Sequence, residues 1–125
     1  MDSKNLPDTK NHASLTLNPP LWINAALEFC IAKTRRNLAT LNGFPERAEG
    51  GKWVQIEPDK HGWWVGGHWI GMLWLAYAAT GDQSFNAAAR DWANRLLPRR
   101  PELDDHDLGF LFELGFVLGC QLTDE

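Results

Sequence analysis

Two short blocks of this sequence carry side chains that could do chemistry. The first, His61–Gly62–Trp63–Trp64–Val65–Gly66–Gly67–His68–Trp69, sets indoles and imidazoles among glycines. The second, Asp104–Asp105–His106–Asp107, gathers three carboxylates around an imidazole. Indole faces stack on the C–H surface of a sugar ring, while carboxylates bind hydroxyls or move protons, so the pairing suits a carbohydrate ligand. Glycines let backbone approach such a ligand closely. The acidic run also has a local use, because Asp at the start of a helix caps it and complements its dipole. Capping accounts for Asp104 or Asp105. Asp107 is left over, since it falls inside the first turn, beside His106 and ahead of an apolar run. Trp63 and Trp64 stand at a loop–helix junction and read equally as a partly exposed ligand platform or as packing. Trp69, Trp74 and Trp92 fall on helical faces and read as core. His68 lies on an apolar helix and reads as a core histidine. His61, His68 and His106 lack a metal-ligand spacing, so no metal is expected.

Four helices must position these blocks. The first is expected to start near Pro19–Pro20, with Asn18 as cap, and to end at Asn42–Gly43. Its stripe is Ile23, Leu27, Ile31, Thr34, Leu38 and Leu41. Residues 43–62 then read as a long connection rich in Gly, Pro and charge, and a loop of that length is more often functional than idle. The second helix runs from about Val65 to Thr80 and stops at Gly81. It is apolar on nearly every face, which predicts burial all round. The third, capped by Asp82, presents Phe85, Ala88, Ala89, Trp92 and Leu96 on one side before Pro98. The fourth begins near Asp104–Asp105 and is again apolar nearly all round. Trp64, Gly66, Trp69 and Leu75 match Asp107, Gly109, Phe112 and Leu118 at an offset of 43 residues. A period in that range marks stacked helical hairpins. The second and fourth helices then run parallel, and the indole and carboxylate blocks open at one end. Gly67 and Gly71, like Gly115 and Gly119, are spaced for close helix–helix contact.

Composition narrows the class. The chain has 125 residues, room for one domain, with 44% hydrophobic and 22% charged residues. Its formal charge is −4 and no Lys/Arg cluster stands out, so neither nucleic acid nor membrane is an expected partner. Cys30 and Cys120 fall in apolar helical patterns and read as buried reduced thiols. Residues 1–18 are polar and read as a loosely held arm; they contain no apolar signal core, and a cytoplasmic protein is expected.

The segment WWVGGHWIGMLWLAYAATGD, followed by DDHDLGFLF, resembles the unsaturated glucuronyl hydrolases, glycoside hydrolase family 88. The family's pattern is close to W-T-x-G-F-W-x-G-x-L-W-L-x-Y-x-x-T-G-D, then D-H-D-[LI]-G-F. The match covers about Trp63 to Phe112, with Val65 in place of the Thr and His68 in place of the Phe. The resemblance implies an all-α fold in which helical hairpins form part of an (α/α)6 barrel, with residues 19–125 as its N-terminal third. It implies a substrate class, oligosaccharides that end in a 4,5-unsaturated uronic acid left by a polysaccharide lyase. It also implies vinyl-ether hydration, with Asp107 as the supporting catalytic aspartate and Trp64 and His106 against the sugar. No cofactor is implied. The family's protonating aspartate is expected beyond the equivalent of Glu125, so the chain by itself is expected to be inactive. Exposed faces of the inner helices would favour self-association. The competing expectation is a short helical module that binds sugar or protein without catalysis.

Overall fold

The computed structural model describes residues 20–57, 60–102 and 104–124. The expected arm and the Asn18 cap lie outside them. Helix α1 (Leu21–Leu38) leads into a hairpin of β1 (Pro45–Glu49) and β2 (Lys52–Gln55). Helix α2 (Gly66–Thr80) turns back as α3 (Gln83–Asn94), and a 3-10 turn (Leu97–Arg99) follows. Helix α4 (Leu108–Phe112) continues through a π turn (Glu113–Val117) into α5 (Leu118–Thr123). The fold is mostly helical, as expected, with the small hairpin as its exception.

The α2–α3 hairpin is written in its turn. Gly81 takes the left-handed conformation that ends α2, with φ 69°, and its N–H donates to the Tyr77 carbonyl at 2.7 Å. Asp82 then caps α3, accepting from the Ser84 N–H at 2.8 Å. Arg35 of α1 reaches the same carboxylate at 2.8 Å and ties the first helix to the hairpin. Phe85, Ala89, Trp92 and Leu96 are buried against Ile70, Leu73 and Trp74 of α2, as the stripe on α3 predicts.

Helices α2 and α4 meet through glycines. A Cβ on Gly67 would stand 2.0 Å from the Phe110 carbonyl oxygen, and one on Gly71 3.2 Å from Leu114 Cβ. A Cβ on Gly119 would stand 2.7 Å from the Trp74 ring. These contacts advance together along both helices, so the two run parallel with their N-termini at one end. The Trp74 indole N–H donates to the Gly115 carbonyl at 3.0 Å, inside the π turn.

Several expectations are corrected. Helix α1 ends at Leu38 rather than at Asn42–Gly43, because the amides of Asn42 and Gly43 donate to the side chain of Gln55, at 2.9 and 2.6 Å. Its stripe is buried only in part: Thr34 and Leu41 are covered, Ile31 and Leu38 pack against the core, and Ile23 and Leu27 face solvent. The long connection is a β-hairpin. Gly50 and Gly51 both have positive φ, 55° and 76°, which suits a two-residue turn between twisted strands. Its register pairs Glu49 with Lys52 and Ala48 with Trp53, with a bulge between Pro45 and Arg47. Helix α2 is not covered all round. His68, Met72 and Leu75 share an exposed face, so His68 is no core histidine. Phe110 and Val117 are likewise exposed. Cys30 and Cys120 are exposed thiols rather than buried ones.

Candidate active site

Three consecutive residues ahead of α2 adopt left-handed backbone: His61 at φ 41°, Gly62 at 83° and Trp63 at 45°. Such conformations are costly for residues other than glycine and persist where packing over-determines them. Here Gly62 is wedged into the core, and a Cβ on it would stand 2.7 Å from Leu96 Cδ2. The tight turn throws Trp63 and Trp64 outward, and Trp64 keeps 38% of its surface in solvent. Its ring stands edge-on to Trp63, His68 and Phe110, with centroids 6.2, 6.0 and 6.4 Å away.

The acidic block is held by an arginine that the sequence reading overlooked. Arg99 is only 6% exposed. Its guanidinium donates to Glu102 and, at 2.5 Å, to Asp105, and it reaches the Lys60 carbonyl at 3.4 Å. One side chain thus stitches the loop before α4 to the loop before α2. The signal was the Arg99–Arg100 pair between Pro98 and Pro101, directly upstream of the acidic run.

The carboxylates divide the work. Asp105 faces Arg99 with one oxygen and with the other accepts from the Asp107 N–H at 2.8 Å. The Asp107 backbone amide, and then Arg99, lower its carboxyl below the ordinary value despite some desolvation. Asp105 is therefore a loop clamp. Asp107 occupies the N-cap position of α4, one step before the helix rather than inside its first turn, and makes no side-chain capping bond. Its half-buried carboxylate lies 3.6 Å from His106 Nε2, and the His106 side chain is 92% exposed.

These groups share one open cleft of about 850 Å³, lined by Trp63, Trp64, Pro101, Glu102 and the block Asp104–Asp107. Trp64, His106 and Asp107, predicted from two separate blocks of the sequence, are brought together. His61 lines a different cleft, beside Phe44 and Trp92, and His68 stands behind Trp64. Asp105, His106 and Asp107 can each offer a ligand atom within 4.8 Å of the others. Arg99 already supplies the positive charge that Asp105 faces, so the cluster is explained without a cation. Chemically, the cleft offers indole faces, an exposed imidazole and, in Asp107, a carboxylate that neither caps a helix nor faces Arg99. No helix among the described residues is long and apolar enough to cross a membrane.

Comparison with curated proteins finds partial relatives. The chain is 36% identical over 98 residues to the unsaturated glucuronyl hydrolase of Bacillus sp. (strain GL1), covering 75% of this chain and 25% of that protein. It is 35% identical over 96 residues to an unsaturated chondroitin disaccharide hydrolase of Streptococcus pyogenes serotype M1, covering 72% of this chain and 23% of that one. A Streptococcus pneumoniae protein of the same description is 44% identical over 52 residues, covering 39% of this chain and 13% of that protein. The chain thus spans about a quarter of the length of the first two relatives. No family profile and no solved structure matches. The resemblance carried by the Trp63–Phe112 motifs holds.

Proposed function

We propose that this chain, a partial relative of the unsaturated glucuronyl hydrolases, supplies the Trp64–Asp107 side of a glycoside hydrolase site. The substrate is an oligosaccharide ending in a 4,5-unsaturated uronic acid. The observation that carries this reading is Asp107, whose carboxylate is spared from capping and shares a cleft with the exposed ring of Trp64. Trp64 stacks on the sugar face and His106 donates to a ring hydroxyl. Asp107 accepts from the hydroxyls and balances the positive character that develops on the ring. A proton is added at C4 and water adds its oxygen at C5 and releases its proton, giving a hemiketal at C5. Its C5–O5 bond breaks to open the ring as a keto acid, and the hemiacetal this leaves at C1 expels the rest of the saccharide as an alcohol. The C4 proton comes from a second acid. No other carboxylate of the cleft is assigned that role, since Glu102 and Asp105 face Arg99 and Asp104 is exposed, and the 125-residue chain is expected to bind without turnover. We place the protein in the cytoplasm, in keeping with its two free surface thiols.

The test is Asp107→Asn in a full-length context, followed through loss of the substrate double bond's ultraviolet absorbance. Turnover is expected to fall at least about 100-fold. Unchanged turnover with a melting shift worth about 1 kcal/mol would mark Asp107 as a cap and remove it from the site.

A second reading draws on the uncovered faces of α2, α4 and the π turn, where Met72, Leu75, Phe110 and Val117 are exposed. On this reading the chain associates with another copy through those faces.

A further inference from the structure

Behind Trp64 lies a second cleft, outside the acidic site. It holds about 360 Å³ between the β-hairpin, α2 and the end of α1. Trp53 of β2 and Trp64 both line it and are 37% and 38% exposed. Trp53 makes no ring contact with another aromatic side chain among the described residues, so no aromatic neighbour takes up its π face. Glu46 brings a carboxylate to the same lining. The strand bulge between Pro45 and Arg47 falls at Glu46, and bulges re-aim side chains. Its partner Arg47, at 2.9 Å, is shared with Glu49 at 2.6 Å, so Glu46 is only partly neutralised. No Lys or Arg lines the cleft. His68 is the one lining group that can become cationic, and its ring is engaged with Trp64 and Phe110, with centroids 6.0 and 5.5 Å away.

These features select one kind of ligand. The face of an indole carries partial negative charge and attracts a cation held within about 6 Å of the ring centre. A partly neutralised carboxylate adds Coulombic attraction to the same charge without requiring a hydrogen bond. Besides Glu46 and His68, the only other polar lining residue that is not an indole is Asn37, so a ligand that must hydrogen-bond at many atoms finds few partners. We propose that this cleft binds a quaternary ammonium group, its methyls against Trp53 and Trp64 and its charge toward Glu46. The volume is in the range of small-ligand sites, which starts at roughly 300 Å³. The site stands apart from the hydrolase reading, since it needs neither Asp107 nor a bound saccharide.

The experiment is ligand-observed NMR on the full chain at about pH 8.5, where histidine is ordinarily neutral, with choline as the probe. The control is its neutral isostere, the alcohol with a tert-butyl head in which carbon replaces nitrogen. Choline is expected to bind in the millimolar range and at least about tenfold tighter than the isostere. Trp53→Leu keeps an apolar side chain but removes the π face, and Glu46→Gln keeps the shape but removes the charge. Neither position belongs to the buried core, so both variants should melt within about 2 °C of the parent. Each is expected to weaken choline binding at least about threefold. An isostere bound as tightly as choline, or two variants that bind choline like the parent, overturns the site. Choline binding without unsaturated-disaccharide binding keeps the site and sinks the hydrolase reading. Disaccharide binding without choline binding does the reverse.

Discussion

Two charged residues fix the local geometry, and each makes its own prediction. The Asp82 carboxyl is lowered to about 2, by hydrogen bonds from Ser84 first and by Arg35 after them. A carboxyl depressed in the folded state contributes fully above its unfolded value and loses that contribution as pH falls through the folded one. Thermal melting followed from pH 5 downward should therefore drop between about 4 and about 2, and Asp82→Ala should flatten that part of the curve. Arg99→Met leaves Asp105 facing an apolar group and frees Glu102. It is expected to cost about 2–4 kcal/mol in a denaturant melt and to weaken unsaturated-disaccharide binding by loosening the acidic loop. Trp64, His106 and Asp107 were legible in the sequence because the offset between the two blocks set them at matching ends of parallel helices. Arg99 was not, because its burial depends on Lys60, Glu102 and Asp105 converging on it from two loops.

The α2–α4 seam tolerates no side chain at Gly67, where a methyl group would strike the Phe110 and Leu111 carbonyls. Gly67→Ala is expected to destabilise by about 2–3 kcal/mol, the cost of overpacking against rigid backbone. Gly109→Ala, with open space around its Cβ, should instead gain about 0.5 kcal/mol from helix propensity. Paired denaturant melts check both, and equal effects would mean that the seam does not hold the helices. The helices were readable from their stripes and from Gly81–Asp82, which act locally. The hairpin was passed over although Gly50–Gly51 was visible, because its strands, Pro45–Glu49 and Lys52–Gln55, are charged and mostly exposed and carry no apolar alternation. The end of α1 escaped notice for a different reason: the partner of Asn42 and Gly43 lies a dozen residues away on β2.

At the scale of the molecule, α2 and α4 leave Met72, Leu75 and Phe110 without cover, as the first half of α1 leaves Leu21, Trp22 and Phe29. Sedimentation of the 125-residue chain is expected to show concentration-dependent association. Leu75→Glu, at an exposed position, should abolish it without lowering the melting temperature by more than about 2 °C. A monomer at all concentrations would discard the self-association reading. The all-α class and the parallel inner helices were foreseeable because two nearly uncharged helical runs must both be sheltered. Their incomplete shelter was not, since it depends on what packs beside them. The π turn between α4 and α5 bears on this assembly in another way. It carries one residue more than regular winding would, so it acts as a phase offset of about 100° between the two ends of a continuous rod. Gly119 keys the far end to Trp74. Removing a single residue from Glu113–Val117 would therefore leave an ordinary helix, better regularised than before, with Asp107 rotated out of the cleft it shares with Trp64.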